Sequence, residues 1–117
     1  LQNDLGSRIW PQLQQQWQHI DYFGLNDAFI IKYQQGAQEE LRLHHDVAQV
    51  SGSVKLNDDY TDAELEFPRQ GYSNAELPVG SLLVWPSLVT HPHRSARITS
   101  GTKYSLTLWF ELPLQLN

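Results

Sequence analysis

The 117-residue sequence predicts a mainly β domain, a sandwich or barrel of short strands with one amphipathic helix packed outside it. Three observations carry this. Strand-like runs recur at short intervals, parted by Gly, Pro, Asn and Asp. The single helical stripe lies at the amino terminus, so no helices alternate with the strands. At 40% apolar content the chain can bury one core but is too short for a second.

From about 7 to 20, Ile9, Trp10, Leu13, Trp17 and Ile20 recur at steps of three and four, the stripe of an amphipathic helix. Pro11 fits only its first turn. The two tryptophans there are expected to pack on the outside of a sheet. Ala28–Tyr33 is rich in β-formers and stops at the Gln-Gln-Gly36 turn signal, so it reads as a strand. Leu41–Asp46 is the next. Gln49–Leu56 alternates as a third and is halted by Asn57-Asp-Asp. Ala63–Phe67, Asn74–Leu77, Ser81–Trp85 and Lys103–Leu112 complete the set, which places the β core at about 28–112. Short strands at this spacing point to a sandwich or barrel. Repeats, low-complexity tracts and linkers are absent from the sequence.

A net charge of −5, with basic residues scattered, argues against nucleic acid or an anionic membrane as partner. With no apolar run near eighteen residues and no signal-like amino terminus, a soluble protein is expected. Zero cysteines exclude disulfides and thiolate-bound zinc and are consistent with a cytoplasmic setting. Because residue 1 is Leu, the numbering is read as starting inside a longer product, with 1–117 as its single catalytic domain.

Chemistry concentrates between His44 and Lys103. On an extended strand His44 and Asp46, two apart, leave the same face, which is half of a metal site. A second imidazole from His91 or His93 completes two nitrogens and one carboxylate oxygen with open positions on the metal, a set suited to ferrous iron. His91 and His93 are also two apart and can share a face. Lys103 alternates with Ser105, Thr107 and Trp109 on one side of its strand and can clamp a carboxylate near the metal. His45 points the other way. Arg94 and Arg97 read as solvated rim residues, and Trp85, Trp109 and Tyr104 as core.

His44-x-Asp46, Val54-Lys-Leu-Asn-Asp-Asp-Tyr60, Glu64-Leu-Glu-Phe67, Pro78-Val-Gly-Ser-Leu-Leu-Val-Trp-Pro86, the His93 segment and Gly101-Thr-Lys-Tyr-Ser-Leu-Thr-Leu-Trp109 occur in an order and spacing that together carry a resemblance. Over about Ala28 to Glu111 the chain resembles the catalytic core of the Fe(II)/2-oxoglutarate-dependent dioxygenases, in their prolyl and lysyl hydroxylase branch. The resemblance implies a double-stranded β-helix, a jelly-roll relative. It also favours His93 over His91, because the related enzymes place the distal histidine ten positions before the basic cosubstrate anchor. His44, Asp46 and His93 are therefore the expected Fe(II) ligands. Lys103 becomes the anchor for the distal carboxylate of 2-oxoglutarate, and Tyr33 falls where relatives place a hydroxyl that bonds the cosubstrate. Lys55 is kept as an alternative anchor, since an inward face of Ser51, Ser53 and Lys55 would bring a second ammonium to the pocket.

What the resemblance implies for function is hydroxylation of an unactivated C–H bond using O2 and 2-oxoglutarate, with ascorbate as a stimulant. A prolyl or lysyl side chain of a peptide or protein is the first substrate expected, and a small molecule the next. One departure stands out: relatives commonly carry two glycines before the Glu-Leu-x-Phe strand, where this chain has Asp62-Ala63. The short interval from Asp46 to His93 implies trimmed loops at the mouth. Two rival readings remain at this level, a cupin-like metal-binding isomerase or binding module that uses His91-Pro-His93 as a pair, and a silent β-sandwich for protein contact.

Overall fold

A computed structural model describes residues 11–12, 25–87 and 89–110. Pro11 and Gln12 are helical; the remainder of the helix expected at 7–20 lies outside the described residues. Nine strands follow among those residues: β1 (Leu25–Gln34), β2 (Leu41–His44), β3 (Val50–Lys55), β4 (Tyr60–Asp62), β5 (Leu65–Phe67), β6 (Tyr72–Ser73), β7 (Leu82–Pro86), β8 (His93–Ser95) and β9 (Ile98–Phe110). Every pairing is antiparallel. The larger sheet runs β1-β9-β3-β7, with β4 joined to β9, and the smaller runs β2-β8-β5-β6. No helix among the described residues is long and apolar enough to cross a membrane.

The expected strands are present with shifted ends, apart from the one placed at Asn74–Leu77. There the Leu77 N–H closes a turn on the Asn74 carbonyl at 3.1 Å, and the paired residues are Tyr72 and Ser73 just before it. Two strands went unforeseen. β4 follows directly on the Asn57-Asp-Asp turn, and β8 is only three residues long, too short to show alternation.

β9 is the spine of the larger sheet. Its register sets Tyr33 opposite Lys103 and Ser51 opposite Trp109, while Trp85 of β7 faces Ser51 from the other side. Among the described residues, one core cluster joins Tyr33, Ala63 and Ile98, and another joins Leu65, Phe67 and Trp85.

Gly101 lets β9 change partners. It sits at φ +79° opposite Tyr60, and a Cβ there would lie 2.8 Å from the Tyr60 Cα and closer still to the Asp59 carbonyl oxygen. Left-handed backbone and backbone overlap act together, so Gly101→Ala is expected to cost roughly 2–5 kcal/mol. Thermal unfolding followed by circular dichroism should show Tm falling by about 10 °C or more; an unchanged Tm would mean that the strand bends elsewhere.

Candidate metal and cosubstrate site

Two imidazoles and one carboxylate meet where the sheets face each other. The metal-ligating atoms of His44, Asp46 and His93 lie within 4.8 Å of one another. His44 and His93 are directly paired across β2 and β8, with ring centroids 4.3 Å apart. β2 ends at His44, so Asp46 stands in the loop beyond it rather than on the strand that the sequence suggested. Its carboxylate still reaches both rings, with Oδ1 3.2 Å from His44 Nε2 and Oδ2 3.2 Å from His93 Nε2.

Both rings are held in the same way. His44 Nδ1 donates to the Arg42 carbonyl at 2.6 Å, and His93 Nδ1 donates to the His91 carbonyl at 3.0 Å, in each case two residues upstream. Fixing the proton on Nδ1 turns both Nε2 atoms toward the carboxylate, as metal-binding histidines require. The Ser51 hydroxyl donates to Asp46 Oδ2 at 2.6 Å. Burial pushes the Asp46 carboxyl up, but hydrogen bonds from His44, His93 and Ser51, helped by the charge on His93, outweigh it and hold the group well below the usual carboxylate range. The bond to Asp46 raises His44 above the ordinary histidine value, against the effect of burial. A metal must displace that proton. The donor set is chemically suited to ferrous iron, which takes two histidines and one carboxylate and keeps open positions.

His91 is set apart from this group. Its Nδ1 is bonded to the Thr90 hydroxyl at 2.6 Å, and burial is the main cause that lowers it below the ordinary value. Its backbone carbonyl, not its ring, serves the cluster.

A cavity of about 400 Å³ runs from the triad to Lys103. Only 5% exposed, Lys103 donates from Nζ to the Ala63 carbonyl at 2.6 Å and to the Ser95 hydroxyl at 3.2 Å, with the Tyr33 ring 4.8 Å away. Burial and the charge of Lys55 push it down to about 8, against the pull of Glu64. None of the described residues gives this ammonium a carboxylate in contact, so it is a buried cation in need of an anion. Ser95 stands one same-face step, about 6.6 Å, from His93, which sets a span suited to a short dicarboxylate. The Tyr33 hydroxyl bonds to Ser95, and burial holds the phenol above its ordinary value.

Ala63 reaches Lys103 through a contorted turn. Asp62 and Ala63 adopt φ of 63° and 58°, left-handed backbone without glycine. This is the place where the sequence departs from the expected glycine pair, and the turn keeps the shape that glycines would favour. Asp62 accepts a bond from the Thr99 hydroxyl at 2.7 Å, and fully buried Ala63 packs with Tyr33 and Ile98.

Lys55 does not enter the cavity. Its ammonium donates to the Leu77 and Asn74 carbonyls at 2.6 and 3.1 Å, clasping the turn that replaced the expected strand. Trp85 is core, as read from sequence, and it also lines the cavity together with Trp109, whereas Tyr104 is exposed. Arg94 pairs with Glu66, and Arg97 with Glu39 and Glu40. Two contributors escaped the sequence reading, the Ser95 hydroxyl and the Ala63 carbonyl. Ser95 had a signal, since it shares a strand face with His93. Ala63 acts through its backbone and had none.

No family model matches the chain. A Caenorhabditis elegans protein named multifunctional procollagen lysine hydroxylase and glycosyltransferase is 30% identical over 82 residues, 68% of this chain and 11% of that protein. A zebrafish protein named 2-oxoglutarate and iron-dependent oxygenase domain-containing protein 2 is 31% identical over 96 residues, 77% of this chain and 28% of its own length. The crystal structure of a collagen prolyl hydroxylase from Paramecium bursaria Chlorella virus-1, a 2OG complex, superposes with a TM-score of 0.68 at 16% identity, covering 95% of this chain and 73% of that one. The chain belongs to the Fe(II)/2-oxoglutarate-dependent dioxygenases, in their prolyl/lysyl hydroxylase-like branch. It spans 11% of the lysine hydroxylase it matches, so the likeness covers a core and not a whole multidomain protein. The double-stranded β-helix expected of a dioxygenase is the fold observed, with its two sheets enclosing the cavity.

Proposed function

We propose that this domain, residues 1–117, is a hydroxylase that holds Fe(II) through His44, Asp46 and His93 and takes 2-oxoglutarate with its distal carboxylate on Lys103. The observation that carries the reading is the pairing of a two-imidazole, one-carboxylate cluster with a buried ammonium at the far end of the same cavity. Bound iron with 2-oxoglutarate supplies the oxidising chemistry: O2 gives one oxygen atom to succinate, formed with loss of CO2, and the other to the C–H bond of the substrate. The chain's own residues do the rest. Ser51 holds the Asp46 carboxylate in place, the Arg42 and His91 carbonyls orient the two rings, and Ser95 with Tyr33 positions Lys103. Trp85 against His93, with ring centroids 4.9 Å apart, and Phe29 against Trp109, at 5.1 Å, keep water from the metal end.

The names of the relatives favour a prolyl or lysyl side chain of a polypeptide as substrate, and a chain without cysteine suits the cytoplasm. Incubating the protein with ferrous iron, ascorbate, 2-oxoglutarate and a peptide panel should release succinate and add one oxygen atom to a peptide. Metal binding without 2-oxoglutarate consumption would favour the cupin-like alternative instead.

A further inference from the structure

The lining of the cavity discriminates between the two substrate side chains that the relatives suggest. We infer that it accepts an uncharged, aliphatic residue of a polypeptide and turns away an alkylammonium, with Val47 at the mouth as a specificity-determining residue. This rests on the hydroxylase reading above.

Charge is the first argument. Among the described residues that line the cavity the only carboxylate is Asp46, and both its oxygens are committed, Oδ1 to His44 and Oδ2 to His93 and Ser51. The one fixed cation among those residues, Lys103, is paired with the distal carboxylate of 2-oxoglutarate in the reading above, so that carboxylate is not free for an incoming lysyl ammonium either. A primary ammonium brought inside would lose its hydration and meet no free anion, which disfavours its entry.

Hydrogen bonding argues the same way. An ammonium has three donors to satisfy, yet the indole Nε1 atoms of Trp85 and Trp109 are themselves donors, buried without an acceptor among the described residues. The Ser53 and Ser105 hydroxyls are bonded to each other at 3.0 Å. Phe29, Ile31, Leu41 and Leu65 complete an apolar wall. Contact with an aromatic face recovers only part of what a buried ammonium loses.

The mouth matches the interior. Val47 is 76% exposed and still lines the cavity, so it stands at the entrance. Beside it in sequence, His45 also lines the cavity and its Nε2–H bonds to the Val89 carbonyl at 2.9 Å. An aliphatic side chain therefore stands at the entrance, and a neutral target residue passes it without losing a charge contact.

Three peptides identical except for a target proline, norleucine or lysine test this, since norleucine keeps the length of lysine without its charge. Binding to the nickel-loaded protein with 2-oxoglutarate is read by tryptophan fluorescence, because Trp85 and Trp109 line the cavity. Succinate release is read separately with iron. The proline and norleucine peptides should bind and stimulate succinate release at least about ten-fold better than the lysine peptide. Val47→Glu should narrow that gap by favouring lysine. Equal or better binding and turnover of the lysine peptide would overturn the selection while leaving the hydroxylase reading intact, as would 2-oxoglutarate consumption that no peptide stimulates. Failure to consume 2-oxoglutarate under every condition would overturn both.

Discussion

Replacing His93 by alanine is expected to abolish iron-dependent succinate release, whereas His91→Ala retains most of it. The two imidazoles are separated by a single proline, yet their environments differ. His93 is 4% exposed, and its Nε2 points at Asp46 Oδ2 because the His91 backbone carbonyl holds its other nitrogen. Alanine at 91 keeps that carbonyl and removes only a ring bonded to Thr90. Alanine at 93 removes a metal-binding atom outright, which should weaken cobalt or nickel binding, measured by calorimetry, by more than the ~10–100-fold that loss of an outer hydrogen bond costs. The metal-free protein should also lose about 1–3 kcal/mol, since Asp46 would keep its burial with one partner fewer. If His91→Ala were the silent variant and His93→Ala the active one, the wrong ring has been placed on the metal.

The contrast between these neighbours shows what a sequence makes legible. Spacing alone left His91 and His93 open, because both parities are available until the strand face is known. The sheet separates their positions: β8 begins at His93 and pairs it with His44, whereas His91 precedes the strand. Alternation along β9 did reveal Lys103, Ser105, Thr107 and Trp109 as one face, since a long strand repeats its period often enough to be read. Lys55 shows the opposite limit. It shares the parity of Ser51 and Ser53, but at the end of β3 its long side chain bends to the Asn74–Leu77 turn, and parity says nothing about where a flexible ammonium ends. The turn at Asp62-Ala63 was legible as a departure in residue type but not as a preserved backbone shape, because left-handed φ values at two non-glycine residues are imposed by tertiary contacts.

Lys103→Ala should raise the 2-oxoglutarate requirement steeply, by roughly 100-fold or more given the strength of a charge-assisted bond to a buried carboxylate. Lys55→Ala should leave that requirement nearly unchanged and lower stability instead, since it frees two backbone carbonyls. Acidity gives an independent handle. Burial lowers Lys103 to about 8, from 10.5 for an ordinary lysine, so in the free protein the charged form is the disfavoured one. Its burden on stability is fully present below about 8 and fades as pH rises toward 10.5. With Lys103 as the proposed anchor, the cosubstrate requires that same charged form. The apparent 2-oxoglutarate requirement should thus stay flat up to about 8 and climb above it, while the protein without cosubstrate gains stability over the same interval. Lys103→Met separates the two effects: without 2-oxoglutarate it should unfold at a temperature equal to or above the parent's near pH 7, and its weak cosubstrate binding should no longer depend on pH between 7 and 10. A parent protein whose 2-oxoglutarate requirement ignored pH across that interval, or a Lys55→Ala variant more impaired in cosubstrate binding than Lys103→Ala, would move the anchor away from Lys103.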